Sequence, residues 1–282
     1  MSGIEVGRRV LDRYLLVRPI ARGGMSLVYE AVDLEQLRPA AVKVLAPAFA
    51  SNTRACHAAR REPHLMHRMR HPAVPKVFAH GDIEADGVSV PAVAMELLNG
   101  VPLASRLADG PLPWQRAVEI AASIAELLAV AHRRGVAHRD LTADNVMLTT
   151  AGVKIIDFGL AVPFAHPAAR IEHAPAWDVY ALGALLYHML TGRSPHAPGA
   201  RLLQAAPTPV VLTPGLPRSV AELCRQCMAK RPDERPQSAA VALSLWAEFA
   251  TDWPQPGLTP ARAAGGASGA ARRQGHTPGG SR

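Results

Sequence analysis

The sequence predicts an α+β fold, with strands gathered early in the chain and helices over most of the remainder, and three observations carry that reading. Residues Tyr14 to Val44 alternate apolar and polar positions in runs broken by RPIARGGMS, the period of strands with one covered face. From Trp114 the apolar residues of RAVEIAASIAELLAVAHRRG recur at helical spacing, which predicts a buried helix capped by Gly135. Further on, VML and VKII flank a Thr-Thr-Ala-Gly turn, the pattern of a short apolar hairpin.

That hairpin lies inside HRDLTADNVMLTTAGVKIIDFG, residues 138–159, and it would hold Asp140, Asn145 and Asp157 at one edge. A hydroxyl attacking a γ-phosphate needs an acceptor for its proton and oxygen ligands for magnesium, because the charge of the transferring group must be neutralised. Asp140 suits the first role, Asn145 and Asp157 the second. Here the sequence resembles the protein kinase superfamily, whose catalytic loop reads HRDLKxxN and whose metal loop reads DFG. A lone HRD or DFG arises by chance in many chains, but both in order on a strand-turn-strand pattern make the match specific. The resemblance covers residues 12–250 and is to bacterial eukaryotic-like Ser/Thr kinases with a shortened activation segment. It implies a two-lobed protein kinase-like fold, with a small β-rich N-lobe over about 12–96 and a larger helical C-lobe over about 99–250. Residues 1–11 are then expected to be an N-terminal extension.

In chain order, IARGGMSLV resembles the glycine-rich loop that lies over ATP phosphates, where missing side chains let backbone amides approach the anion. Gly23 and Gly24 take the central positions, while Ala21 stands for the first glycine and Ser26 for the third. Lys43 in AAVK resembles the lysine that holds the α- and β-phosphates. A lysine inside an apolar strand is costly unless its charge is paired, so a glutamate partner is expected. In ARREPHLMHRMRHPAVPKVF, which resembles the family's αC helix, Glu62 is either that partner or a solvated charge beside Arg60 and Arg61. Pro63 removes a helical hydrogen bond, which predicts a kinked or late-starting helix. The stretch VPAVAMELLNGVPLASRL resembles the hinge between lobes, with Met95 at the gatekeeper position and the backbone of Glu96 to Leu98 at the adenine edge. Ile20, Val28, Ala41 and Met147 would complete an apolar slot around the ring, and these residue types suit plain core equally.

Three departures from the family bear on function. Asp157 and Asp178 are 21 residues apart, and APA at 174–176 lacks the glutamate of the family's APE, so the activation segment is curtailed. The stretch LAVPFAHPAARIEHAPAW holds no Ser, Thr or Tyr, so phosphorylation there cannot switch the protein on, and Arg139 lacks the phosphate it clamps in many relatives. Thr142 replaces the lysine that reaches the γ-phosphate in Ser/Thr kinases. The C-lobe otherwise keeps the pattern. Asp178 matches the aspartate that braces the catalytic loop, and Arg235 matches the late arginine, whose usual APE partner is missing, with Glu172 a weak candidate to replace it.

Composition narrows the function classes further. The 282 residues are 49% hydrophobic, enough for one two-lobed domain. The net charge of +8 is half explained by residues 254–282, which carry Arg262, Arg272, Arg273 and Arg282 without an acid and form a disordered Pro/Gly/Ala/Arg tail. With no basic stripe and interleaved aromatics, no nucleic-acid partner is expected. No long apolar run and no signal h-region occur, which predicts no membrane span and a cytoplasmic location. Cys56, Cys224 and Cys227 make no disulfide framework, and the single CxxC reads as buried helix thiols in preference to a zinc site. The expected activity is transfer of the γ-phosphate of ATP, with Mg2+ or Mn2+, to a Ser or Thr hydroxyl of a protein substrate. The alternatives are a nucleotide-binding pseudokinase scaffold, which Ala21, Thr142 and the short segment favour, and a small-molecule phosphotransferase without a peptide-docking loop.

Overall fold

Alternation in the first part of the chain becomes a six-stranded antiparallel sheet in the computed structural model, which describes residues 4–159, 161–163, 173–195 and 215–252. Its strands are β1 (Arg9–Val10), β2 (Tyr14–Arg22), β3 (Ser26–Asp33) and β4 (Arg38–Leu45), then, after helix α1 (Thr53–Met69), β5 (Val77–Ala85) and β6 (Val88–Met95). The spatial order is β1-β2-β3-β4-β6-β5. Cross-strand partners share a face, so the register sorts the side chains into two sets. Tyr29, Ala31, Val42 and Val44 are buried in a cluster with Tyr14 and Leu16. The positions between them project the other way: Val28 opposes Lys43, Lys43 opposes Val93, and Ala41 opposes Met95.

Two expectations are corrected here. Residues 4–10 are not a mere extension: Ile4 and Val10 are buried on the Tyr29 side, the Ile4 amide donates to the Tyr29 hydroxyl at 2.8 Å, and β1 pairs with β2. Closing that apolar face is the physical reason the segment is ordered. Nor does α1 start late. It begins at Thr53, where Asn52 accepts a hydrogen bond from the Ala55 amide, and it continues through Pro63 to Met69. Pro63 forfeits one helical hydrogen bond, but it is buried with Leu65 and Met66 beside it, and packing holds the helix across it.

The second lobe follows. It comprises β7 (Gly100–Pro102), α2 (Leu103–Ala108), α3 (Trp114–Arg133), β8 (Val136–Ala137), β9 (Val146–Thr149), β10 (Gly152–Ile155), β11 (Val162–Pro163), α4 (Ala174–Thr191), α5 (Arg218–Cys227) and α6 (Ser238–Asp252). α3 is buried over most of its length and packs on α4 and α6. Gly135, just past its end, has φ 71°, the left-handed conformation that glycine adopts without a Cβ penalty, and the turn delivers the chain into β8. β9 and β10 form the expected hairpin, with β7 as a third strand. At Gly183 a Cβ would sit 2.6 Å from that of Cys227, so α4 and α5 meet at backbone distance. The thiols of Cys224 and Cys227 are buried there, and burial pushes both up to about 12, which leaves them protonated and inert. Among the described residues no group of three or more His, Cys, Asp or Glu is placed to hold a metal ion. The tail 254–282 and Glu172 lie outside the described residues.

Candidate active site

Lys43 stands on the inner face of the sheet because β4 pairs in register with β3 and β6. Its Nζ donates to Glu62 Oε1 at 2.8 Å, to Glu62 Oε2 at 2.9 Å and to Asp157 Oδ1 at 3.0 Å. Glu62 is therefore the partner and not a solvated charge, being 4% exposed. It also accepts the Phe158 amide at 3.2 Å, which ties α1 to the segment after β10. Burial works against the Lys43 ammonium, but the two carboxylates outweigh it and hold its pKa above the ordinary value. Burial likewise opposes the Asp157 carboxylate, and Lys43 together with the Gly159 amide more than offsets it, so this group is shifted down. Both are charged at neutral pH.

Across the cleft the loop that carries Asp140 is fixed by Asp178, which lies on α4 and is 1% exposed. Its carboxylate accepts the amides of His138 and Arg139, each at 2.8 Å, and lies 2.8 Å from His132 Nε2. Arg139 and Asp157 adopt φ of 68° and 65°, a conformation disfavoured for residues with a Cβ that persists where surrounding bonds over-determine it. Asn145 Nδ2 donates to the Asp140 carbonyl at 2.8 Å and to Asp140 Oδ2 at 3.0 Å, so Asp140 and Asn145 are locked to each other. With its nitrogen so engaged, Asn145 keeps its side-chain oxygen for a hard cation, as Asp157 keeps a second carboxylate oxygen. The buried His138 ring packs edge-on to Phe158 at 4.7 Å, and burial holds it below the ordinary histidine range against Asp178, Asp140 and Asp157.

The remaining predicted residues fall into place unevenly. Ala41 and Met95 are buried partners and Val28 packs against the same core, with Met147 half-buried on β9. The Glu96 amide donates to the Lys76 carbonyl at 2.8 Å, which leaves the Glu96 carbonyl and the Leu98 main chain for a ligand. Gly23 and Gly24 form the β2–β3 turn, closed by the Gly23 amide on the Ser26 carbonyl at 2.8 Å, and a Cβ on Gly24 would meet nothing within 4 Å. Ile20 sits in the bulge between Pro19 and Ala21, exposed, where it lines a cavity beside Leu27 and Tyr29. It is the one predicted slot residue that the structure leaves exposed. Arg235 is held by the carbonyls of Ala176, Ala229 and Lys230 and by the rings of Trp177 and Tyr180, so main chain and aromatic faces replace the absent carboxylate. Arg139 has no side-chain partner among the described residues.

Two features escaped the sequence. Lys154, 7% exposed, places Nζ 2.8 Å from both carboxylate oxygens of Glu96, which joins β10 to the hinge. The rule that exposed the Lys43 pair applies equally to a lysine inside VKII. His132, which links Asp178 to Ser238 at 2.9 Å, gave no signal, because one histidine on a helix has no pattern.

The sequence profile of the protein kinase domain matches residues 14–172. The chain is 34% identical over 260 residues to the serine/threonine-protein kinase PknA of Mycobacterium tuberculosis, covering 83% of this chain and 60% of that one. It is 32% identical over 263 residues to the serine/threonine-protein kinase PknB of Mycolicibacterium smegmatis, covering 81% and 41% respectively. It thus spans less than two thirds of the curated relatives it matches. The crystal structure of a mutant form of the Mycobacterium tuberculosis PknI kinase domain superposes with a TM-score of 0.70 at 26% identity, covering 88% of this chain and 100% of that one.

Proposed function

We propose, from the premise that this chain belongs to the protein kinase family, that it transfers the γ-phosphate of ATP to a Ser or Thr hydroxyl of a protein substrate. The observation that carries the reading is the joint placement of Lys43 on Glu62 and Asp157 with Asn145 locked to Asp140. In this reading Lys43 holds the α- and β-phosphates, and its two carboxylates keep it charged and aimed. The amides around Gly23 and Gly24 approach the phosphates where no side chain intervenes. Asn145 and Asp157 would hold the divalent ion, for which magnesium, or manganese in its place, suits an all-oxygen donor set. When bound, the ion neutralises charge on the transferring group. Asp140 orients the attacking hydroxyl and accepts its proton, while the Asn145 amide fixes the carboxylate's rotamer. Glu96 and Leu98 present main-chain groups to the adenine edge, with Val28, Ala41, Met95 and Met147 around the ring. No helix among the described residues is long and apolar enough to cross a membrane, and the protein acts in the cytoplasm in this reading. Substrate choice at Ser or Thr rests on the named activity of PknA and PknB.

The test is incubation with labelled ATP and magnesium, with Ser/Thr-containing acceptor proteins, for wild type and Asp140→Asn. Wild type should label protein, and the variant should retain ATP-dependent thermal stabilisation while losing roughly a hundredfold or more in transfer. Equal turnover by the variant would refute the base assignment. ATP-dependent stabilisation without labelled product in wild type would establish the nucleotide-binding scaffold, the reading that Thr142 favours by removing a cation from the site.

A further inference from the structure

Outside the cleft, a basic groove crosses the back of the sheet lobe between α1 and the free edge of β5. β5 is the last strand of the sheet, paired only with β6, so the outer main-chain groups of Val77 to His80 have no strand partner among the described residues. Those four consecutive residues form one wall of a cavity of about 820 Å³, and Pro63, His64, His67, Arg68 and Arg70 form the other. A second cavity of about 830 Å³ shares His67, Arg70, Val77 and Phe78 with it and extends past Lys76 to the hinge. Among the described residues no acidic residue lines the first cavity. The second contains one among them, Glu96, which Lys154 already neutralises with two contacts of 2.8 Å. The Arg68 side chain donates to the Arg134 carbonyl, and the side chains of Arg68, Arg70 and Lys76 have no carboxylate partner among the described residues. Charged side chains are one way a sheet edge is protected from unwanted pairing, and what distinguishes this edge is that its cations line a groove and have no carboxylate partner among the described residues.

We propose that this groove docks an acidic, extended segment of a partner protein, which adds to β5 as a strand while its carboxylates meet Arg68, Arg70 and Lys76. Charge excludes the nearest competitors. The chain's own residues 254–282 carry four arginines and no acid, so they are repelled. A second copy docked groove to groove about a two-fold axis would set cations against cations. Single-stranded nucleic acid would need free aromatic faces for its bases, and here the Phe78 ring is covered by the Arg38 guanidinium at 3.7 Å while His64 and His80 contact each other at 4.6 Å; duplex DNA is left to the test below. The proposal does not depend on phosphoryl transfer. It concerns a surface that also contains Pro63, the residue after Glu62, so an occupant would rest on the helix that carries an active-site carboxylate.

The test is fluorescence anisotropy of the full chain with a short labelled peptide alternating glutamate and valine, at increasing salt. Saturable binding that weakens with salt is expected, and the double variant Arg70→Glu with Lys76→Glu should weaken it roughly tenfold. Arg70→Gln, a milder change, should weaken it less, and ATP-dependent thermal stabilisation checks that each variant is folded. Arg8→Glu with Arg9→Glu, at the opposite edge of the sheet, should leave the affinity unchanged. A peptide N-methylated at alternate residues should lose affinity, because strand addition needs its amides. Absence of saturable binding, equal affinity in the Arg70 and Lys76 variants, an equal loss at Arg8 and Arg9, or full affinity of the N-methylated peptide would each overturn the proposal. So would duplex DNA binding as tightly as the acidic peptide.

Discussion

Two buried carboxylates, Glu62 and Asp178, sit on either side of the cleft and are held in opposite ways. Asp178 is satisfied by main-chain amides of the loop it braces and by His132, all within one lobe. Glu62 is satisfied by the Lys43 side chain and by the single amide of Phe158, and so joins the sheet lobe to the helical one. An amide in a folded loop has nowhere else to go, whereas a lysine ammonium on a flexible stem has alternatives. The difference predicts that Asp178 serves the fold and Glu62 serves the reaction.

The sharpest way to break that comparison is Asp178→Ala. Leaving buried donors unmet costs about 1 to 3 kcal/mol for each, so removing the acceptor of His138, Arg139 and His132 should lower stability by roughly 4 kcal/mol. That is a large part of a typical domain's total. Urea denaturation should show a much lower midpoint, and a loss under about 1 kcal/mol would mean that water replaces the carboxylate.

Glu62→Gln should behave differently. The amide keeps an acceptor for Phe158, and Lys43 retains Asp157, so stability should fall by only about 1 to 2 kcal/mol. Transfer should fall roughly tenfold to a hundredfold, since Lys43 is no longer aimed by a charge. If urea midpoints show Glu62→Gln to be as damaging to the fold as Asp178→Ala, the two carboxylates do not divide the labour.

How far these sites could be read beforehand follows the same division. Lys43, Asp140, Asn145 and Asp157 were legible because each stands in a short motif whose spacing is fixed by a strand or a tight loop. The Glu62 partnership was half-legible: the cost of a buried lysine demanded a carboxylate, but only the packing of α1 on the sheet chose this one. Pro63 misled, because a local propensity was overridden by burial of the helix around it. Ile4 and Val10 went unread, since a short apolar pair before the first long strand has no period to detect. Asp178 was legible as a residue, but not its contact with His132, which depends on how α3 and α4 cross.

A smaller effect should come from the position where charge is missing. Thr142 is exposed, and its carbonyl accepts the Asn145 amide at 3.2 Å, so the backbone there is fixed whatever the side chain. Thr142→Lys should raise turnover at saturating ATP by up to about tenfold with little change in nucleotide affinity, because the added charge acts on the transition state. An unchanged rate in single-turnover measurements would show that another group already supplies that charge.

The smallest predicted effect lies between the two carboxylates, at His138. Its ring is 2% exposed, and burial holds its pKa below the ordinary histidine value despite Asp178, Asp140 and Asp157 nearby. In the unfolded chain the same group takes up a proton near pH 6.5. Below that pH the unfolded state therefore binds more protons than the folded one, so stability rises with pH in this window and is lost as pH falls from 7 toward 5. The slope contributed by one histidine cannot exceed about 1.4 kcal/mol per pH unit. His71, His80 and His188 are shifted the same way by burial, so His138 supplies only part of the whole. His138→Phe keeps an aromatic ring against Phe158 and gives up the contact with the Asp140 amide, so its stability will be lower at every pH, but its loss between pH 7 and 5 should be visibly shallower. Denaturation midpoints of both proteins across that range decide the matter: parallel lines would mean that His138 takes up its proton equally in the folded and unfolded chain, the neighbouring aspartates cancelling the effect of burial.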